Sequence, residues 1–218
     1  MNILNKIARR CRNFLANRKP KTMMPRQDLH AYWREPWKWD ENNLAEDYVG
    51  GYPRTRFLIS LLKDIPKSAN ILEIGCNCGR NLNGLWNEGY ENLTGVEISP
   101  HAVEVMRTAH PEMKASVIVQ PIEDAIVKMK DNEFDVVFTM AVLQHLPSES
   151  EWVMKEIARI AKTLITIEDE VNTTRRHRAR NYKDVFEGLG MRQVQEMNCE
   201  HVDDLFDPSF NARIFTKV

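Results

Sequence analysis

Asn70-Ile71-Leu72-Glu73-Ile74-Gly75-Cys76-Asn77-Cys78-Gly79-Arg80-Asn81 decides how the rest of the chain is read. Ile71 to Ile74 is a short apolar run and predicts a strand. Small residues from Gly75 to Gly79 break it, and the chain restarts as a helix with Leu82, Leu85 and Trp86 on one face. Strand, small-residue turn and helix open a βαβ unit. Gly75 and Gly79 let the backbone come close to a ligand, because no Cβ stands in the way. Asn77 is among the non-glycine residues that best tolerate a left-handed turn.

Spacing separates two cofactor families that use such a turn. The dinucleotide fingerprint G-x-G-x-x-G, aligned on Gly75, needs glycine at Asn77 and Arg80 and lacks both. An acid followed by x-G-x-G-x-G fits Glu73, Gly75 and Gly79, with Asn77 in place of the middle glycine. On these residues the chain resembles the class I S-adenosylmethionine (SAM) methyltransferases. Leu93 to Glu97 reads as a second strand ending in an acid, 18 residues beyond Gly79. A carboxylate there accepts two hydrogen bonds from the ribose diol. Asn132 to Met140 resembles the family's fourth strand. Ala141 to Leu146 resembles the turn after it, where a histidine is common. The resemblance covers roughly residues 54 to 218.

The resemblance implies a doubly wound α/β fold. Its seven-stranded sheet would be mostly parallel and closed by an antiparallel C-terminal hairpin, Arg192 to Met197 with Arg213 to Lys217. It also implies a SAM site built from Glu73, Gly75, Cys76, Asn77, Gly79 and Asn81, then Glu97 and Ile98, Ile122 and Glu123, and Met140. Ile122 would supply the backbone and apolar contact to adenine, and Glu123 or Gln120 the contact to its amine. Arg54 or Arg56, with Arg56 carried into the expected site, would reach the methionine carboxylate. His145 and Asp169 are the candidate bases, His145 first because its ordinary pKa lies near neutrality; a structural turn histidine is the competing reading. Thr139-Met140 offers no acid at the end of the fourth strand, so no metal is expected. The run Arg175 to Arg180 reads as a solvated loop or as a clamp for an anionic group on the acceptor.

Composition is that of a soluble globular chain: 218 residues, 43% hydrophobic, 28% charged and a net charge of −1. That charge does not commit the chain to nucleic acid, and none is expected as a partner. No run approaches the roughly 18 apolar residues of a membrane span, and no secretory signal is read. Cys76 and Cys78 are one residue apart, unlike zinc or redox pairs, and read as reduced thiols of a cytoplasmic protein.

The chain divides into a basic amphipathic segment (1–27), an aromatic cap with a lead-in helix (28–66) and a SAM-binding domain (67–218). Lys6, Arg9, Arg10, Arg12, Arg18, Lys19 and Lys21 face no acid within residues 1–21, and Ile3, Leu4, Ile7, Cys11, Phe14 and Leu15 recur at helical spacing. Such a helix lies on the inner membrane face, or packs on its own domain or on a second copy as a homodimer. Tyr32, Trp33, Trp37 and Trp39 are followed by Tyr48 and Tyr52, with Pro36, Gly50, Gly51 and Pro53 forbidding one long helix. Flat rings with a polar edge suit sugars or aromatic rings. Arg54 to Leu62 predicts a helix. Ser99-Pro100 predicts a helix start, Ser148 to Ala161 an amphipathic helix opened by a Ser148–Glu151 capping box and buried through Trp152, and Tyr182 to Leu189 a helix closed by Gly190.

The expected activity is methyl transfer from SAM to a small or glycan-type acceptor, foremost an oxygen of a glycolipid or surface-polysaccharide precursor. A natural-product methyltransferase and a catalytically silent SAM-binding partner are the alternatives.

Overall fold

The computed structural model describes residues 22–39, 42–199 and 206–218, so the basic segment 1–21 lies outside it. The described strands are β1 Asn70–Ile74, β2 Asn92–Glu97, β3 Ser116–Val119, β4 Phe134–Met140, β5 Ala161–Asp169, β6 Met191–Asn198 and β7 Phe210–Lys217. They form one seven-stranded sheet in the order β3-β2-β1-β4-β5-β7-β6. β1 to β5 are parallel, and β7 runs antiparallel between β5 and β6. The helices are α1 Arg26–Arg34, α2 Tyr52–Leu61, α3 Arg80–Asn87, α4 Pro100–Ala109, α5 Ile122–Ile126, α6 Trp152–Ile160 and α7 Tyr182–Glu187.

Side chains alternate across each strand, so one strand feeds two cores. Leu72, Ile74, Val137 and Leu164 pack with Ile126, Val153, Ile157 and Phe186 on one face. Ile71, Val136, Phe138 and Ile165 pack with Leu58, Leu82, Leu85 and Tyr90 on the other. Central strands covered on both faces read as unbroken apolar runs, which is why Val136 to Phe138 shows no alternation. The chain winds outward from β1 through β2 to β3, then returns to β4 on the other side of β1. The turns after β1 and β4 therefore part, and a crevice opens between them at the C-terminal strand ends.

Residues 22–51 hold α1 and two 3-10 turns, Pro36–Lys38 and Ala45–Tyr48, in place of one long helix. Ser99 caps α4 as expected, its hydroxyl accepting from the Ala102 N–H at 3.3 Å. The capping box at 148–151 does not form. Ser148 to Ser150 is a 3-10 turn after Pro147, and α6 starts only at Trp152. Glu151 instead pairs with Arg178 at 3.1 Å. Trp152 is exposed, because it shares a helical stripe with Glu156 and Arg159 while Val153, Ile157 and Ile160 turn inward. α7 ends two residues before Leu189, with Gly188 at its C-cap and Gly190 beyond it at φ +83°. No helix of the described residues is long and apolar enough to cross a membrane.

α2 and α3 pack closely at Gly84. A Cβ on Gly84 of α3 would lie 2.1 Å from Thr55 Cγ2 of α2. Alanine gains about 1 kcal/mol of helix propensity over glycine. Overpacking of a rigid contact costs about 1–3 kcal/mol, and 2.1 Å leaves no room to relax cheaply. Gly84→Ala is thus expected to lower the denaturation midpoint, by up to about 2 kcal/mol net, in a urea titration; an unchanged or raised midpoint would show that α2 is free to back away.

Candidate active site

A cavity of about 530 Å³ occupies the crevice at the C-terminal strand ends. Its floor is the turn after β1. Gly75, Asn77 and Gly79 adopt φ of +72°, +47° and +72°, so the asparagine holds the left-handed conformation its sequence position predicts. The Gly75 and Cys76 N–H groups donate to Val96 O at 2.8 and 3.1 Å. At the end of β2, Glu97 accepts from the Asn77 N–H on one oxygen and from the Ser99 N–H on the other, both at 2.8 Å. The buried Glu97 side chain thereby ties the first two βα turns together; burial raises its pKa.

Glu73 is buried deeper. One oxygen accepts from Asn81 Nδ2 at 2.8 Å, and Asn81 Oδ1 accepts from the Thr55 hydroxyl at 2.9 Å. The other oxygen, Oε2, has no hydrogen-bond partner among the described residues. Burial pushes the carboxyl up to about 8, against the pull of the Asn81 bond.

The opposite wall is the turn after β4, which passes through Ala141 at φ +58° and a 3-10 turn at Leu143–His145. Glu168, at the end of β5, is fully buried and accepts from the Val142 N–H at 2.9 Å and the Gln144 N–H at 3.3 Å. Burial raises it to about 7. Gln144 Oε1 accepts in return from the Asp169 N–H at 2.8 Å. Arg180 donates to Leu143 O and Leu146 O at 3.0 and 2.5 Å, and the Arg178 N–H donates to Gln144 O at 2.8 Å. The C-terminal part of the basic run is engaged with this turn, while Arg175 is exposed and Arg176 lines the cavity. That part is a brace on the turn, with Arg180 buried and Arg178 paired with Glu151, and Arg176 stacks 4.2 Å from the Tyr32 ring centre.

His145 sits in that turn. Its Nδ1 lies 2.8 Å from Arg176 O, a carbonyl that can only accept, so Nδ1 carries the proton and Nε2 the lone pair. Burial, then the His177 ring, depress its pKa to about 3, so the imidazole is neutral. Its ring lies 4.4 Å from Trp33 and 4.7 Å from His177.

Trp33 belongs to the roof. Nine residues of α1 span about 13 Å, close to the roughly 14 Å between β2 and β5, three strands apart. The helix is pinned at both ends of that span. Near its start, the Met24 N–H donates to Arg175 O at 2.8 Å; at its end, Ser99 Oγ donates to Arg34 O at 3.0 Å. Between them His30 Nε2 lies 3.1 Å from Glu123 Oε1, which also accepts from Ser150 Oγ at 2.6 Å. Burial pushes Glu123 up, but these two bonds outweigh it and hold the carboxyl at about 2. Behind α1, Asn43 donates to Tyr32 Oη and accepts from Tyr48 Oη, and His101 pairs with Glu46 at 2.8 Å.

Residues 72–164 match the methyltransferase domain family. That match covers less than half of the chain and marks its central part, from β1 into β5, as similar to a methyltransferase domain. Over 151 residues it is 26% identical to phosphoethanolamine N-methyltransferase 2 of Caenorhabditis elegans, covering 67% of this chain and 33% of that one. It is 29% identical over 103 residues to 2-methyl-6-phytyl-1,4-hydroquinone methyltransferase of Synechocystis, covering 46% and 31%. The chain thus spans about a third of the length of these curated relatives. It shares its fold with magnesium protoporphyrin IX methyltransferase from Synechocystis, solved with bound SAH, at a TM-score of 0.65 and 14% identity over 89% and 100% of the two chains.

The cofactor of this methyltransferase family fits the residues present. Among the described residues, Glu73 Oε2 and Asn77 Oδ1 are buried acceptors without hydrogen-bond partners, and Arg80 Nε is a buried donor without one. Acceptors suit an ammonium and a guanidinium suits a carboxylate, the two ends of an amino acid. Glu97 retains lone pairs for a diol, and Ile98, Gln120, Ile122 and Met140 add apolar and polar wall. Two expected residues fall elsewhere. Arg56 is on the exposed face of α2 and off the cavity, since Thr55 and Leu58 take the inward positions; Arg54 and Arg80 line it instead. Asp169 is also off the cavity, its carboxylate accepting from the Val171 and Asn172 N–H groups and from Asn172 Nδ2 at 2.8–3.0 Å. Glu123 lines the cavity, but Oε1 is engaged by His30 and Ser150; Gly79 shapes the turn without lining it. The sequence reading missed His30, Thr55 and Arg80. Only Arg80 had a signal, its place inside the opening motif.

At pH 7 most Glu73 is protonated before an ammonium arrives, and pairing requires the carboxylate. SAM binding at pH 7 is thus expected to release a proton, and affinity to rise from pH 6 to about 8. Calorimetry in buffers of different ionisation enthalpy checks this; equal enthalpies in all buffers would remove Glu73 from ammonium binding.

Proposed function

We propose that the protein transfers the methyl group of SAM to an oxygen of a small or glycan-type acceptor, with the glycan of a glycolipid or surface-polysaccharide precursor as the leading class. One observation carries this reading: the Trp33 and His145 rings meet 4.4 Å apart on the cavity, with His145 Nε2 bearing its lone pair. A ring face offers packing for a sugar or another flat acceptor, and the neighbouring imidazole accepts a hydroxyl proton. The two curated relatives act on unlike acceptors by their names, phosphoethanolamine and a phytyl hydroquinone, so neither is carried over.

When bound, SAM supplies an electrophilic methyl carbon on a sulfonium. The protein's part is to position, to exclude water and to take up one proton. Positioning alone lowers such barriers by up to about 7–11 kcal/mol in well-oriented model reactions. His145 Nε2 would take the acceptor's hydroxyl proton as the oxygen gains the methyl group and the bonding pair of the cleaved carbon–sulfur bond stays with sulfur. An imidazole with a pKa near 3 is a weak base. It suffices late in the displacement, because the oxygen then becomes oxonium-like and a much stronger acid than imidazolium. The Arg176 carbonyl keeps the ring from turning its N–H toward the acceptor.

Two outcomes follow for turnover. His145→Ala is expected to lower kcat by roughly 10²- to 10⁴-fold while leaving SAM affinity within a few-fold. Because His145 stays neutral above about pH 3, the wild-type kcat profile has no His145 limb between pH 5 and 8. The acceptor is found by incubating protein and methyl-labelled SAM with a cell extract split into lipid, polysaccharide, small-metabolite and macromolecule fractions. Label in lipid or polysaccharide supports the glycan class, and label among small metabolites replaces it with a natural-product acceptor. SAM binding with no label in any fraction would move the reading to a non-catalytic partner.

A further inference from the structure

We infer that Glu168 is a positioning residue for methyl transfer: through the turn after β4 it sets where His145 stands against the turn after β1. This rests on the reading of His145 as the base and says what holds that base in place.

The β4–β5 ladder ends at Ala141, whose N–H donates to Ile167 O at 2.8 Å. Ala141 then turns through φ +58°, a conformation that alanine keeps only where its surroundings impose it. The Glu168 carboxylate holds the chain just past that point. Its Oε2 accepts from the Val142 N–H at 2.9 Å and from the Gln144 N–H at 3.3 Å, so one group grips both neighbours of Leu143. His145 follows directly, and its own N–H donates to Val142 O at 2.9 Å. Val142 also reaches the other way. A Cβ on Gly75 would lie 2.5 Å from Val142 Cγ2, so this side chain rests on the turn after β1. The residue that Glu168 grips thus touches one wall of the cavity with its side chain and anchors His145 with its carbonyl. The spacing between base and floor runs through Val142, and the carboxylate fixes Val142.

The site accommodates both protonation states of this acid. The carboxylate accepts from the two N–H groups; the neutral acid still accepts but needs a place for its proton. The Thr139 hydroxyl faces Glu168 from β4, buried and without a hydrogen-bond partner among the described residues. It can donate to the carboxylate or accept from the acid. Burial raises Glu168 to about 7, so both forms are populated near neutrality. Hydrogen bonds to an ionised acceptor are roughly twice as strong as neutral ones, so the turn is held firmly above pH 7 and loosely below it. The other ionisable groups around the turn do not change charge there. Tyr182, at the start of α7, is pushed well above the ordinary phenol value by burial and then by the Glu168 charge. Arg180 is a permanent cation on the Leu143 and Leu146 carbonyls. Burial pushes Asp169 up, but bonds from the Asn172 and Val171 N–H groups outweigh it and hold it below the usual carboxylate range. Glu170 pairs with Arg213 at 2.7 Å. His145 and His177 are both depressed, chiefly by burial.

The test has a spectroscopic arm and a kinetic one, both on the full chain. With SAH at saturation, the Val142 and Gln144 amide resonances are expected to shift together with a midpoint near pH 7, and the His145 ring resonances to move with them. All three should stay flat in Glu168→Gln. Turnover is followed with the extract fraction that takes label, at saturating methyl-labelled SAM, where the pH dependence of affinity drops out. Wild-type kcat should rise roughly five- to tenfold from pH 6 to 8, a limb that belongs to Glu168 because His145 has none there. Glu168→Gln should be roughly 10- to 100-fold slower at pH 8 and lack the rise, so the gap narrows as pH falls. Glu168→Asp keeps the charge but ends a methylene short of the two N–H groups, and should be as slow as Glu168→Gln at pH 8. Calorimetric SAM binding checks that each variant is folded; the wild-type amide titration stands without any variant. A ratio of wild type to Glu168→Gln that is constant at every pH marks a merely structural residue and overturns the inference. Full turnover in either variant, or amides that do not titrate, overturns it as well. If no fraction takes label, the resonances decide alone: a shared titration keeps Glu168 in control of the His145 turn and sinks only the acceptor reading.

Discussion

Three carboxylates close three strand ends, and the C-terminal edge of the sheet depends on burying them without stranding them. Glu73, Glu97 and Glu168 end or nearly end β1, β2 and β5, and all are buried. A buried carboxylate is costly unless donors meet it. Glu97 recruits the N–H groups of the two turns on the β1 side, and Glu168 those of the turn after β4. Each acid thus organises backbone that strand geometry leaves undirected. Glu73 differs: Asn81 donates to one oxygen, and the other remains unmet among the described residues. The satisfied acids hold the turns that wall the cavity, and the unsatisfied one leaves a buried oxygen facing no donor among the described residues.

Much of this was legible in the chain because it is written locally. A strand, two glycines and an asparagine fix the first turn within ten residues, and a Ser-Pro pair fixes the start of α4. What escaped is set by distance in space. Arg54 and Arg56 are equivalent as residue types, and only the packing of α2 on α3 turns Arg56 to solvent. Asp169 looks like a base at a strand end, but the chain after it folds back and uses its carboxylate for a turn. The arginines at 176 to 180 look like a ligand clamp in sequence because nothing nearby tells that the carbonyls of Leu143 and Leu146 need donors. Ser148 shows the converse failure. Its local signal was good, but Pro147 and the 3-10 turn displaced the helix start past it.

The cap is cheap in residues. One nine-residue helix and two short turns cover a cavity of about 530 Å³, because the helix length matches the spacing of the strands it crosses. Its inward contacts are few and specific: a ring on His145, an imidazole on Glu123, a carbonyl on Ser99.

Two of those three contacts fall on residues beneath the helix at the cavity wall, Glu123 and Ser99 beside Glu97. Roof and floor are therefore not independent parts. Any interaction that holds α1 down is thermodynamically linked to whatever occupies the space beneath it, and linkage of this kind is reciprocal. An acceptor that steadies the roof tightens the cofactor by the same factor by which the cofactor tightens the acceptor.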